Sequence, residues 1–486
     1  MAGKAVPHFH NEPGVPVITV GVKEFMCIGA LPPFDHPHVF LDMGADSEII
    51  CQYCSTLYRY RAGLKADQAE PPACVWRDDA REAVEYAPRT VPSGSPSLRI
   101  GIVGAGIGGL TAALALSDAG PAVTVIERRT GFSEVGAGIQ ISPNASRILA
   151  GLGLSAALRR AASEPPAVEV RALDSGRRIG GVALGAQALS RFGAPYYVIH
   201  RADLQTLLLD ALRSRSTIRL LMGRTVTAVS RTASEAVLTV EGASGAQPAA
   251  FDLVVGADGL RSRLRAHLDP APLRPGQAAA WRALIPMEAA PQALRGAATG
   301  LWLGRGRHVV HYPVRDGQFL NVVAVVPEAV GDEGWGRLGE PAVLRGHLRG
   351  CAAPLRDLLS LPDSWLVWSL ADRAVARPLA RDRLALIGDA AHPVLPYLAQ
   401  GAALAIEDAA VLTRALADHA DVPAALAAFS GARTARVRRV QKAARSNGRT
   451  YHAGGVVAFV RNAVMARLGP DGMRALHAWV DGRTPP

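Results

Sequence analysis

The chain has 486 residues and a formal net charge of +11, with 49% apolar and 20% charged residues. That balance belongs to a folded globular protein and excludes a disordered chain, and the length allows two to four domains at about 100–200 residues each. No apolar run reaches the roughly 18 residues of a membrane span, and the arginines lack the aromatic-interleaved pattern of nucleic-acid modules, so no transmembrane segment and no nucleic-acid partner are expected; steering of anionic small ligands accounts for the charge.

The N-terminal MAGKAVPHFHNEPGVP has no apolar stretch of the secretory kind. Five cysteines, three of them before residue 55, suit a reducing cytoplasm and a metal site better than a disulfide framework. Cys27, His36, Cys51 and Cys54 give the spacing C-x8-H-x14-C-x2-C. Thiolates and imidazole are the ligands that tetrahedral Zn²⁺ takes, and a CxxC turn places two sulfurs on one metal. His38 competes with His36 for the imidazole position, and the alternative to zinc is a redox-active CxxC. Residues 39–41 and 48–50 read as short strands, so residues 1–62 are expected to form a small β module stapled by its metal. Over about 35 residues this segment resembles the CHCC-type zinc finger of a small accessory subunit of respiratory complex I. The resemblance implies His36 as the fourth ligand and a closed site without catalytic work. A protein partner through this module is the associated expectation.

Residues 63–97, with Pro71, Pro72, Pro88, Pro92 and Pro96, read as a linker, and Cys74 within it as a bystander. At Leu98 the character changes. The run LRIGIVGAGIGGLTAALALSDAGPAVTVIE reads as strand, glycine turn, helix and strand, closed by Glu127. In such a unit Gly104 makes the sharp turn, Gly106 lets the backbone approach a pyrophosphate, and Gly109 lets helix and strand pack closely. The helix N-terminus faces the phosphates, and Glu127 is placed for the adenosine ribose. The stretch EVGAGIQISPN from Glu134 to Asn144 reads as a loop against a flat ligand. Two later apolar strands deliver Asp258-Gly259 and Gly388-Asp389 at their carboxyl ends, and Gly401 opens an Ala/Leu-rich helix.

GAGIGGLTAALAL, HRADLQTLLLDAL, VVGADGLRSRLR and IGDAAHPVLPYLAQGAALAIEDAAVL, in this order, resemble class A FAD-dependent aromatic monooxygenases, nearest the salicylate hydroxylase and 3-hydroxybenzoate 6-hydroxylase branch. The similarity runs from about residue 98 to 479 and includes the late YHAGGVVAFVRN stretch. It implies an α/β fold: a Rossmann-like FAD-binding domain (98–430) with an inserted mixed or antiparallel substrate sheet (about 165–197 and 277–378), then a C-terminal helical region (431–486). It also implies FAD as cofactor, NAD(P)H as cosubstrate, and O₂ with a small aromatic substrate as partners. One oxygen atom reaches the ring through a flavin C4a-hydroperoxide. By the same resemblance Arg201 contacts the flavin cofactor, and Asp258 and Gly259 touch FAD and the reductant's region. Gly388 and Asp389 hold the ribityl chain. The helix opened by Gly401 aims its positive end at the flavin N1–C2 carbonyl, where it stabilises the charge of reduced flavin.

Arg307 to Val314 alternates so that His308, Val310 and Tyr312 share one strand face. The resemblance turns His308 and Tyr312 toward substrate as candidates for phenol activation and positioning, since an imidazole accepts a proton near neutral pH. Pro396 stands where 3-hydroxybenzoate enzymes carry Gln, which moves it toward a role as backbone carbonyl near the flavin ring. From residue 432, ARTARVRRVQKAAR reads as an amphipathic helix packed through Val437, Val440 and Ala444. Competing readings are a flavin-dependent epoxidase or decarboxylating hydroxylase, and a non-catalytic redox-sensing zinc-finger protein.

Overall fold

Short apolar runs ending in glycine become the parallel sheet of the larger unit. Its six strands lie in the order Ile218–Leu221, Ala122–Ile126, Arg99–Val103, Leu253–Gly256, Leu384–Leu386, Ala380–Arg381, parallel except for the last pair. In Arg99–Val103 every residue after Arg99 is buried, as expected of a strand covered on both faces. The helix Ile107–Asp118 is apolar nearly all round because it packs between this sheet and the helices Arg201–Arg213 and Gly401–Asp418. The computed structural model describes residues 6–11, 13, 15–29, 35–51, 56–75, 98–130, 138–242, 245–274, 276–328 and 336–482. The chain divides into two units, residues 1–86 with 187–194, and residues 87–186 with 195–486.

The second sheet of the larger unit has eight strands, from Arg178–Ala183 at one edge to Arg337–Gly339 at the other. All its pairings are antiparallel except that of Ala167–Ala172 with Thr299–Gly304. The period of two divides its faces. Trp281, Trp302, Val309, Val322 and Trp365 form one core with Leu344, Leu355 and Leu358 of two short helices. The opposite face carries His308 and Tyr312 of the strand Arg307–Val314 and Arg282 of Ala278–Pro286; Tyr312 is in register with Asn321.

Two boundaries differ from the sequence reading. The helix Val422–Tyr451 is continuous, so residue 430 falls inside it rather than between domains. Val437, Val440 and Ala444 are buried on its inner face, as the pattern requires, but Arg433 and Arg436 are buried as well. A final helical stretch, Gly455–Asp481, breaks at Gly469 ahead of Pro470.

In the N-terminal unit, a three-stranded sheet (His8–Phe9, Glu24–Gly29, Asp35–Asp42) accompanies a four-stranded one. The latter runs Glu48–Ile50, Leu57–Tyr60, Val17–Val20, Ala69–Glu70. The last strand lies past residue 62, and Cys74 is buried with Phe9, Phe25 and Tyr58 in the core. The module therefore extends beyond its expected end, and Cys74 is a core residue rather than part of a linker; burial raises its thiol pKa. Residues 76–97 lie outside the described residues.

Candidate functional site

The turn after Arg99–Val103 is built by close approach. Gly104 has φ +106°, a region that L side chains avoid. A Cβ on Gly109 would lie 1.9 Å from the Gly104 carbonyl oxygen, whereas one on Gly106 would meet nothing within 4 Å. Gly104 and Gly109 lock the turn, and Gly106 leaves open space at the N-terminus of Ile107–Asp118, which no side chain caps. Unspent N–H groups facing open space are a phosphate cradle. Glu127 holds the turn: its carboxylate accepts from the Ala105 amide (2.8 Å) and the Arg129 amide (2.9 Å). Gln205, which the sequence reading did not single out, donates to the Ala105 carbonyl (2.9 Å).

Asp258 accepts from the Arg263 amide (2.9 Å) through one oxygen. Its other oxygen is buried without a hydrogen-bond partner among the described residues, and burial raises its pKa. Gly259 follows with φ +77°. Asp389 is exposed by its accessible surface, yet surrounded by enough protein that desolvation raises its pKa against the pull of Arg201 and His392. Arg201, first residue of its helix, is lowered by burial and offset by Asp389. The Gly401 helix starts without a side-chain cap, and a Cβ on Gly401 would meet nothing within 4 Å. An orphaned carboxylate oxygen, two uncapped helix starts and a partly desolvated carboxylate are what a phosphate- and hydroxyl-bearing flavin nucleotide needs. The residues present fit FAD.

Behind these positions lies a buried polar network that the sequence reading missed. Arg433 pairs with Asp408 (2.6 Å) and Glu407 (2.6 Å), and Arg436 with Glu407 (2.8 Å). Asp408 also accepts from the Gly388 amide (2.8 Å) and bonds His392 (2.7 Å). Glu407 accepts from Asn144 (2.6 Å), whose neighbour Gln400 donates to Ser142 (2.9 Å). The network thus fixes both the Gly388-Asp389 turn and the residue preceding Gly401. The amphipathic pattern of their own helix says nothing of these arginines, and only the acidic Glu407-Asp408 pair on an otherwise apolar helix hints at their partners.

On the second sheet, His308 is 4% exposed and its Nδ1 lies 2.9 Å from His452 Nε2. Burial first, and then His452, lower its pKa to about 3. Burial and His452 both disfavour the charged ring, so the resting His308 is neutral, and its Nδ1 contact with His452 gives a proton somewhere to go. Its ring lies 5.5 Å from that of Tyr397, in the turn Pro396–Leu398 that leads to Gly401. Tyr312 is buried and raised by desolvation, hence neutral. Gly138 packs so closely that a Cβ there would lie 2.4 Å from the Tyr312 ring, and its amide donates to Asn321 (2.7 Å). Of the loop expected from Glu134 to Asn144, residues 134–137 lie outside the described residues; residues 138–141 form a strand instead, because they pair with Tyr197–His200, and Pro143 opens a helix. The Pro396 carbonyl accepts from the Ala399 amide (3.1 Å) within the turn, which leaves its second lone pair for another donor.

Arg282, also missed, stands over the Trp368 ring at 4.6 Å. It has no carboxylate partner among the described residues, and its Nε is buried without a hydrogen bond. Burial, opposed by Tyr312 and assisted by Arg201, lowers its pKa to about 10. A buried cation of this kind accommodates an anion.

In the N-terminal unit Cys27 and Cys51 are buried, and the Tyr58 hydroxyl donates to Cys27 Sγ (3.0 Å), as suits a thiolate. The His36 side chain and Cys54 lie outside the described residues.

Residues 97–444 match the FAD binding domain family, and residues 22–58 match a CHCC zinc-finger domain family. The chain is 35% identical over 385 residues to 3-hydroxybenzoate 6-hydroxylase of Polaromonas naphthalenivorans, covering 78% of this chain and 95% of that protein. It is 37% identical over 356 residues to 3-amino-4-hydroxybenzoate 2-monooxygenase PtmB3 of Streptomyces platensis, covering 73% and 88%. The structure of Klebsiella pneumoniae HpxO complexed with FAD and uric acid is similar with a TM-score of 0.69 at 26% identity, covering 79% and 96%.

Proposed function

The chain belongs to the FAD binding domain family, and from that membership we propose that it is an NAD(P)H- and O₂-dependent flavoprotein monooxygenase that hydroxylates an aromatic acid. The observation that carries the reading is the meeting of the flavin cradle with a polar sheet face. Arg201 acts electrostatically on Asp389 and on Arg282, and Tyr397 joins the turn before Gly401 to His308.

Bound FAD supplies oxygen activation, with electrons from NAD(P)H. The chain's own residues bind and orient. The glycine turn and Gly106 receive the pyrophosphate, and Arg201 with Asp389 receives the polar chain of the flavin. The Gly401 helix places its positive end toward the ring system. Arg282 takes the substrate carboxylate, and Tyr312 fixes the ring by its hydroxyl. A charge-assisted, desolvated arginine contact selects carboxylates by about 1.5–3 kcal/mol. In the N-terminal unit, Cys27, His36, Cys51 and Cys54 bind zinc in a closed site that stabilises the module or docks a partner.

The test is a panel of 3-hydroxybenzoate, 3-amino-4-hydroxybenzoate and 6-hydroxynicotinate, assayed for stimulated NADH and NADPH oxidation with product identification. Stimulation coupled to a hydroxylated product is expected. Oxidation that no aromatic acid stimulates contradicts the reading.

A further inference from the structure

We propose that His308 and His452 form a two-imidazole relay that carries the substrate's phenolic proton to solvent, with His452 as its positioning and exit residue. The proposal rests on the aromatic-hydroxylation reading above. The two rings share one short contact, His308 Nδ1 to His452 Nε2 at 2.9 Å. Across it one nitrogen donates and the other accepts, which fixes both tautomers together. His308 Nε2 has no hydrogen-bond partner among the described residues, and the residue shares its strand face with Tyr312. His308 is almost wholly buried, whereas His452, just past the helix Val422–Tyr451, is partly exposed. The inner ring therefore meets substrate and the outer one meets water.

The weak basicity of the pair decides how it works. Burial lowers the pKa of His452 as it does that of His308. The titratable groups packed on the rings are Tyr397 and Tyr451, both raised by burial and neutral. Among the described residues no carboxylate acts on either ring to hold a resting imidazolium against this desolvation, so the pair passes a proton without storing it. The phenol O–H gives its proton to His308 Nε2 while His308 Nδ1–H gives its own to His452 Nε2. His452 Nδ1–H then releases one to water. A phenolate and two neutral imidazoles of reversed tautomer remain. When the hydroxylated ring rearomatises, its ring carbon loses a proton to solvent, and the oxygen that left as phenolate regains one by the reverse route, which restores the first tautomers.

The experiment uses the FAD-loaded full chain with whichever of the three aromatic acids the parent enzyme hydroxylates. Proton release on substrate binding is followed with a pH indicator in weak buffer by stopped flow, across a pH series. His452→Gln still accepts the hydrogen bond from His308 but hands no proton on. It is expected to slow proton release about 10- to 100-fold, with substrate and FAD affinities near parental and a steeper dependence on hydroxide. His452→Ala is expected to slow equally and to recover with added imidazole, which decides the matter if the Gln variant loses flavin. Parental proton release in either variant overturns the relay, as does a parent that hydroxylates without releasing a proton. A parent that hydroxylates none of the three acids removes the functional reading and the relay with it.

Discussion

Arg433→Met removes one of two arginines that face two enclosed carboxylates. Methionine occupies much of the same volume, so the loss is mainly electrostatic rather than a cavity. Afterwards Glu407 retains Arg436 (2.8 Å) and Asn144 (2.6 Å), and Asp408 retains His392 (2.7 Å) and the Gly388 amide (2.8 Å). Arg436 then serves Glu407 alone, and Asp408 is left without an arginine. Breaking a buried pair on one side costs about 3–5 kcal/mol, which for a unit this large lowers the melting temperature by roughly 4–6 °C. Acid sensitivity shifts as well. Burial alone would raise the Asp408 pKa, but His392 and Arg433 override it and hold the group down at about 2. A depressed carboxylate stabilises the fold above its unfolded value near 3.9, and that contribution is lost as pH falls through the folded value. Without Arg433 the folded value rises, so acid unfolding starts at higher pH. Flavin fluorescence during thermal ramps and acid titration reports both effects, because the same network holds the Gly388-Asp389 turn. Arg433→Lys, which keeps the charge but loses the fork, should fall between. A Met variant that melts within about 1 °C of the parent, with the same acid midpoint, would refute the argument.

The remaining expectations follow from single contacts. Gly109→Ala forces a Cβ to 1.9 Å from the Gly104 oxygen, so the purified protein should carry little flavin, read from its visible absorbance. Arg282→Met should raise KM for an aromatic carboxylate by about 10- to 100-fold, and much less for the same phenol without its carboxylate. An equal effect on both compounds would remove Arg282 from carboxylate recognition. Cys51→Ser should lower bound zinc, measured by elemental analysis, while leaving the flavin spectrum unchanged.

The fold was legible where the determining physics is local. Apolar strands ending in glycine, and a helix start that no side chain caps, are written within a few residues. The alternation of Arg307 to Val314 likewise placed His308 and Tyr312 on one face, because strand period is a local property. What escaped depends on long-range pairing. The amphipathic pattern of residues 432–445 marks Val437, Val440 and Ala444 as its inner face but says nothing of Arg433 and Arg436, which Glu407 and Asp408, about 26 residues away, turn inward. His452 lies 144 residues from the ring it touches, and Gly138 lies 183 from Asn321. No spacing rule links such positions. Cys74 was assigned to a linker because its surroundings are rich in proline, yet the short strand Ala69–Glu70 returns the chain to the module and buries it.

On the proposed reading, O₂ is split to hydroxylate an aromatic acid at the face carrying His308, Tyr312 and Arg282. Turnover of the FAD-loaded chain with NAD(P)H under ¹⁸O₂, followed by mass spectrometry of the product, tests it most directly. One labelled oxygen in a new ring hydroxyl is the expected result. NAD(P)H oxidation that yields only peroxide with every aromatic acid offered, or a product free of label, would contradict it.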